Sequence, residues 1–116
     1  MEKLTIQEEQ ALQAVFAVGE GNVKAILEHL TEKVPYTTLA STIKNLEKKG
    51  YVHSRPLGNT FIYNPAITET EFKQHYLHGV VKDYFSNSYK ELVSFFVNQK
   101  KLSSEELKEI IRLIEQ

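Results

Sequence analysis

Residues 35–63, PYTTLASTIKNLEKKGYVHSRPLGNTFIY, contain two different periodicities, and the change from one to the other decides the fold. In the first half, apolar residues recur at the spacing of one helix face, at Leu39, Ile43 and Leu46. Pro35 suits the first turn of such a helix, and Gly50 suits its end. The first half therefore predicts a helix that closes with two lysines, Lys48 and Lys49.

The second half of the stretch predicts a β-hairpin. Tyr51–Arg55 and Thr60–Tyr63 are short segments rich in aromatic and β-branched residues. The interval between them, Pro56–Asn59, contains proline, glycine and asparagine, which favour turns.

Two more helices are predicted upstream of this stretch. Thr5 and Glu8 have the spacing of a capping box, so a first helix should start there. Asn22 can cap a second helix, whose apolar stripe extends to about Thr31. Three helices followed by a hairpin form a winged helix-turn-helix, in which the hairpin is the wing.

Downstream of Asn64 the sequence returns to helical patterning. Three capping-box spacings mark helix starts, at Thr68 to Glu71, Ser88 to Glu91 and Ser103 to Glu106. Three helices in about 49 residues cannot bury all of their apolar side chains, so a partner chain is expected. We predict a mainly α fold with a small β wing, divided into a winged helix DNA-binding domain at residues 1–67 and a helical dimerisation domain at residues 68–116. The predicted dimer interface comprises Phe72, Tyr76, Phe85, Leu92, Phe96, Leu107, Ile111 and Ile114.

The third helix carries the side chains expected to contact DNA. Opposite its apolar face lie short hydrogen-bonding residues flanked by lysines, a set that reaches base edges and phosphates from the major groove. The net charge of the chain is −1, yet residues 33–64 contain five basic residues and one acid, a local charge of +4. Any solvent-exposed helix face is polar, and it is the basic wing that favours DNA as the ligand. The predicted DNA-binding residues are Thr37, Thr38, Ser41, Lys44, Asn45, Lys48, Lys49 and Arg55.

Three segments, PYTTL at 35–39, LEKKGYV at 46–52 and GNTFIYNP at 58–65, resemble the penicillinase repressor family (BlaI/MecI/CopY). The resemblance extends over the whole chain. It implies a bacterial homodimer that represses transcription at operators with inverted half-sites, and a three-helix tail that interlocks the two subunits. It assigns DNA contacts to Thr37, Thr38, Ser41 and Lys44 on the recognition helix and to Arg55 on the wing.

Two departures from the family pattern limit what the resemblance implies. The copper-responsive branch ends in a cysteine cluster, and this chain has no cysteine, so copper sensing through such a cluster is excluded. In the antibiotic-responsive branch, a membrane sensor triggers proteolysis at an Asn-Phe bond in the fifth helix. The corresponding position here reads Phe95-Phe96, so a sensor and protease are implied as partners but the bond itself is not matched.

The composition bounds the remaining function classes. A hydrophobic fraction of 41% and a charged fraction of 25% are ordinary for a globular protein, and no stretch approaches the roughly 20 apolar residues that a membrane span needs. The N-terminus lacks the apolar core of a signal peptide, so we expect a cytoplasmic protein. Asp83 is the sole aspartate and no hydrolase or metalloprotease motif occurs, which argues against an enzyme and against a cofactor.

Two alternatives to an inducible repressor stay open at this point. Glu71, His75 and His78 fall at i, i+4 and i+7, and could make the protein a metal- or small-ligand-responsive winged helix regulator. Solvated polar groups on a helix explain the same three residues, so no metal site is predicted. A pure protein-interaction module would explain the apolar tail, but not the basic third helix and wing.

Overall fold

The computed structural model describes all residues, 1–116, and the chain divides into two compact units, residues 1–72 and 73–116. It contains six helices and one antiparallel hairpin, as the sequence predicts. The elements are α1 (Ile6–Val18), α2 (Val23–Glu28), α3 (Tyr36–Lys48), β1 (Val52–Leu57), β2 (Thr60–Pro65), α4 (Glu69–Tyr84), α5 (Tyr89–Asn98) and α6 (Ser104–Ile114). None of the helices has the length and apolar character needed to cross a membrane.

The first unit is built around the apolar stripes of α1, α2 and α3. Leu12, Ile26 and Ile43, one from each helix, are fully buried in a single core. The hairpin closes this core, because Tyr51 and Val52 are also buried in it. Burial of the α3 stripe fixes which side of that helix faces outward.

The start of α1 is tied to the end of α3. Glu8 forms the predicted capping box with Thr5, and its buried carboxylate also accepts a hydrogen bond from the Lys49 ammonium at 2.6 Å. The same ammonium donates to the Lys3 carbonyl at 3.0 Å, and the Tyr51 hydroxyl donates to the Glu2 carbonyl. The N-terminal segment is therefore held by the residues that follow α3.

The second helix is shorter than the predicted extent to Thr31. Asn22 caps its start as expected, accepting from the Ala25 amide at 2.9 Å, but the helix ends at Glu28. Its last carbonyls have other donors, because the Lys33 ammonium bonds the carbonyls of Leu27 and Glu28, both at 2.9 Å. A side-chain cation at the helix C-terminus replaces the next helical turn.

The wing has longer strands and a tighter turn than predicted. The strands pair as far as Leu57 with Thr60, so the loop is Gly58-Asn59 and not the four residues from Pro56. Gly58 has φ +62°, the conformation that a two-residue hairpin loop requires at its first position. Proline is tolerated inside β1 because a two-stranded ribbon leaves every second amide without a ladder partner.

A third segment pairs with the wing, and the sequence did not predict this pairing. Gly21, in the turn between α1 and α2, exchanges two backbone hydrogen bonds with Tyr63 of β2, at 3.0 and 2.8 Å. A side chain at Gly21 has no room, because an added Cβ would lie 2.7 Å from the Val18 Cγ1 atom. The base of the wing is thus fixed to the α1–α2 turn.

The second unit contains the rest of α4 together with α5 and α6. Its helix starts are those predicted: Ser103 and Glu106 form a full capping box, Thr68 and Glu71 form another just upstream, and Ser88 accepts from the Glu91 amide. Within residues 73–116, Val81 is the one buried hydrophobic residue, and α5 and α6 bury none. Helices α5 and α6 therefore form without burying their apolar faces in the single chain.

Candidate nucleic-acid interface

The outward face of α3 is polar and carries no acidic side chain. It lies opposite Leu39, Ile43 and Leu46, which are at most 2% exposed. Thr38 is half-buried, and the other predicted contact residues of this face are exposed: Thr37, Ser41, Lys44, Asn45 and Lys48. The structure therefore brings together six of the eight predicted DNA-binding residues on one helix surface.

Hydrogen bonds within α3 orient part of this surface. The Ser41 hydroxyl donates to the Thr38 carbonyl at 3.1 Å, and the Thr42 hydroxyl donates to the same carbonyl at 2.9 Å. The Ser41 hydroxyl uses its proton in this hydrogen bond and keeps acceptor lone pairs for another partner. Of the groups along this face, the side chains of Thr37, Thr38 and Asn45 keep both donor and acceptor capacity.

The two lysines at the end of α3 differ in their surroundings. Lys48 is exposed and forms no ion pair, so its ammonium is available to a phosphate. Lys49 is only 22% exposed in its side chain and pairs with the buried Glu8 carboxylate at 2.6 Å. Because this ammonium already has a carboxylate and a carbonyl as partners, we leave Lys49 out of the proposed interface.

The Glu8 carboxylate is held ionised by this arrangement. Burial alone would raise its pKa, but the hydrogen bond from Lys49, the backbone hydrogen bond from Thr5 and the charge of Lys49 together hold the pKa below its ordinary value of 4.5. The pair therefore contributes to the stability of the first unit rather than to its surface charge.

Arg55 lies on β1 of the wing and is exposed, as a phosphate contact should be. Its guanidinium, however, forms an ion pair with Glu20, which belongs to the α1–α2 turn. Both side chains are about half exposed, so solvent screens the pair and a stronger anion can compete for Arg55.

The acid of the basic segment, Glu47, is turned toward the hairpin. It accepts a hydrogen bond from the Ser54 hydroxyl of β1 and therefore does not face the outward surface of α3. Burial raises the pKa of the nearby Tyr63 phenol, and the Glu47 and Tyr36 side chains raise it further. Tyr63 is a neutral, buried part of the wing's base.

Three exposed side chains near this surface were not among the predicted contacts. Tyr36 stands at the first position of α3 and is 52% exposed, and Leu57 and Phe61 near the wing tip are each 55% exposed. Nothing in the sequence pattern marks these apolar side chains as exposed, and the structure shows that they lie outside the core.

The residues predicted for a dimer interface lie in two different environments. Phe72 is buried in the core of the first unit, with ring centroids 6.2 Å from Phe16 and 6.5 Å from Tyr51, so we remove it from the interface set. The other seven belong to the second unit and are half-buried or exposed: Tyr76, Phe85, Leu92, Phe96, Leu107, Ile111 and Ile114.

The candidate cleavage position lies inside a helix. Phe95 and Phe96 belong to α5 and are 47% and 41% exposed. Phe95 packs edge-on against Phe85 at 5.6 Å between ring centroids and against Phe96 at 5.8 Å.

The candidate ligands on α4 do not form a metal site. No three histidine, cysteine, aspartate or glutamate side chains of the chain are grouped so that they could hold a metal ion. Glu71 instead accepts from the Thr68 amide at 3.0 Å, and that hydrogen bond together with the Thr68 hydroxyl lowers the pKa of the Glu71 carboxyl. Its role is to cap the start of α4.

Comparison with known proteins identifies relatives in both sequence and structure. The family model described as penicillinase repressor matches residues 4–116. The penicillinase repressor of Bacillus licheniformis is 21% identical over 109 residues, which cover 92% of this chain and 85% of that protein.

Solved structures with the same fold include repressor domains. The solution structure of the DNA-binding domain of the repressor BlaI has a TM-score of 0.52 and 22% identity, covering 61% of this chain and 93% of its own. Monomeric Bacillus licheniformis BlaI in complex with the blaP half-operator has a TM-score of 0.51 and 21% identity, covering 60% and 88%. A mutant of MarR from E. coli has a TM-score of 0.54 and 16% identity, covering 97% and 76%. These likenesses confirm the winged helix fold.

Proposed function

The chain belongs to the penicillinase repressor family, and we propose that it is a sequence-specific transcriptional repressor that binds inverted-repeat operators as a homodimer. The observation that carries the proposal is the outward face of α3, where exposed hydroxyl, amide and ammonium groups stand opposite a fully buried stripe and no carboxylate intervenes. Family and fold are those of transcriptional regulators and not of enzymes.

In this proposal α3 enters the major groove and its side chains divide into two classes. Thr37, Thr38, Ser41 and Asn45 are short and polar, so they touch base edges only where the backbone comes close to the DNA. Lys44 and Lys48 are long cations that reach phosphates on either side of the groove. The first class reads sequence, and the second class supplies affinity for any duplex.

The homodimer rests on the apolar surface of the second unit. Its exposed apolar side chains include Phe95, Phe96 and Ile111, which are 41 to 50% exposed, and Leu113 and Ile114, which are more exposed still. A monomer in water seldom leaves so many large apolar side chains uncovered in one short segment. A second copy of the same chain covers it with twofold symmetry, which matches an operator of two inverted half-sites.

Induction is proposed to act through the same unit. A membrane sensor and protease, as in the antibiotic-responsive branch of the family, would cut near Phe95-Phe96 and remove α6 from the dimer contact. Phe95 and Phe96 lie in the second half of α5, so this helix must unfold locally before a protease can cut there. Immunoblots of induced cells should show a shortened chain, and target genes switched on with only intact protein present would contradict this route.

The test of the DNA-binding proposal starts with the operator. Duplexes selected from a random pool by the full-length protein supply the cognate sequence, and scrambled versions supply the reference. Ser41→Ala should weaken binding to the selected duplex by about 1–3 kcal/mol per half-site and leave scrambled duplex nearly unchanged. Lys48→Gln should weaken both duplexes alike.

A matched control is available in the tail. Lys108 is an exposed lysine in α6, paired only weakly with Glu105 at 3.6 Å, and Lys108→Gln should change neither duplex. Equal weakening of both duplexes by Ser41→Ala, or a pool from which no sequence is enriched, would contradict sequence reading by α3.

A further inference from the structure

The ion pair between Arg55 and Glu20 involves the only lysine or arginine of the hairpin. The Arg55 guanidinium donates to the Glu20 carboxylate across the gap between the wing and the α1–α2 turn. The two side chains are 55% and 49% exposed, so water and larger anions reach both of them.

The two partners are anchored differently. Glu20 precedes Gly21, whose amide and carbonyl are both bonded to Tyr63, and whose missing side chain lets the turn pack against Val18. The backbone at Glu20 is therefore fixed at the base of the wing. Arg55 has a long side chain with several rotatable bonds, so it can leave the carboxylate while Glu20 stays in place.

The Arg55–Glu20 ion pair determines whether the wing has a free cation to offer to DNA. Lys33 is bonded to the end of α2 and Lys49 to Glu8, which leaves Lys44 and Lys48 as unpaired cations on α3. With Arg55 neutralised by Glu20, the wing offers no unpaired lysine or arginine to a duplex.

We propose that Glu20 competes with DNA phosphate for Arg55 and thereby sets the affinity of the protein for DNA of any sequence. This inference rests on the proposed DNA binding. A guanidinium binds phosphate in the same two-point geometry as a carboxylate, so a backbone phosphate can take the place of Glu20. An exposed ion pair is weak enough for phosphate to displace it. Breaking the pair still costs free energy each time the protein binds DNA.

The experiment compares full-length wild type, Glu20→Gln, Arg55→Gln and the double variant on selected and scrambled duplexes by fluorescence anisotropy. Glu20→Gln should tighten the Kd about two- to fivefold per bound protomer on both duplexes, which equals about 0.4 to 1 kcal/mol at 1.4 kcal/mol per tenfold. Arg55→Gln should weaken binding to both duplexes. The double variant should then bind no more tightly than Arg55→Gln alone, apart from the effect of net charge.

Glu28→Gln is the matched control for net charge, because Glu28 is an exposed acid of the neighbouring helix that forms no ion pair. A gain from Glu20→Gln that exceeds the Glu28→Gln gain, and that disappears without Arg55, supports competition. Weaker binding by Glu20→Gln would overturn it and make Glu20 a residue that positions Arg55. A gain in affinity from Glu20→Gln that persists when Arg55 is replaced would overturn the proposal, because it would reflect net charge alone. Failure of wild type to bind any duplex would instead overturn the proposed function itself.

Discussion

We expect Lys49→Gln to lower the free energy of unfolding, whereas the same change at the neighbouring Lys48 should weaken binding to DNA. The sequence places Lys48 and Lys49 together as phosphate contacts at the end of the recognition helix. The structure leaves Lys48 exposed and pairs Lys49 with Glu8, which is 4% exposed. The same chemical change at neighbouring positions should therefore have different consequences.

The cost of losing Lys49 follows from what it leaves behind. Glu8 loses a charged donor at 2.6 Å and the Lys3 carbonyl loses one at 3.0 Å, while Glu8 keeps the Thr5 amide. Breaking a fully buried pair costs about 3–5 kcal/mol, and an exposed pair contributes about 0–1 kcal/mol. Because the Lys49 side chain is 22% exposed, we expect an intermediate loss of roughly 1–3 kcal/mol in the free energy of unfolding.

Two measurements separate the alternatives. Urea unfolding should show that Lys49→Gln is destabilised and that Lys48→Gln lies within about 0.5 kcal/mol of wild type. Titrations of DNA at several salt concentrations should show that Lys48→Gln reduces the slope of log K against log salt by about one unit per protomer, while folded Lys49→Gln retains the wild-type slope. A fully stable Lys49→Gln with a reduced slope would refute the assignment of Lys49 to the fold.

Three further substitutions test other contacts. Gly21→Ala should lower the free energy of urea unfolding by about 1–3 kcal/mol, because its Cβ would lie 2.7 Å from a valine methyl group. Gly79→Ala, whose Cβ meets nothing within 4 Å, should not destabilise the protein. Equal effects of the two substitutions would contradict the steric reason. Since the folded-state pKa of Glu8 is lowered, its contribution is present above pH 4.5 and lost as the pH falls through the lowered pKa. The stability difference between wild type and Glu8→Gln should therefore shrink below pH 4.5, and a constant difference would exclude the ionised pair. Ile111→Glu, at a position 50% exposed in the single chain, should turn a dimer into a folded monomer in analytical ultracentrifugation, and an unchanged dimer would place the interface elsewhere.

Local sequence signals predicted most of the fold. Capping residues such as Thr5, Asn22 and Ser103 act within one helical turn, so their effect can be recognised without knowing what packs where. The apolar stripe of α3 likewise requires only the helical repeat. The end of α2 was misplaced because the donor that ends it, Lys33, lies outside the helix and reaches back from the following loop.

The ion pairs of the candidate site could not be predicted, because they depend on contacts between distant positions. Lys49 meets Glu8 across 41 residues and Arg55 meets Glu20 across 35, and no periodicity in the sequence records either approach. The burial of Phe72 was missed for a similar reason. It shares a helix with apolar residues of the tail, yet its ring contacts lie with Phe16 and Tyr51 of the first unit.

The pairing of these charges links DNA binding to dimerisation. One protomer has Lys44, Lys48 and, once Glu20 is displaced, Arg55 to offer phosphates, so a monomer would show a salt slope of only about −3. A dimer that places two such sets on one operator would reach about −5, because each phosphate neutralised adds about 0.9 to the slope. A net charge of −1 on the chain adds no general attraction to DNA. With so few free cations in each half, we expect useful affinity to require both halves, so that an event separating the tails should release the DNA.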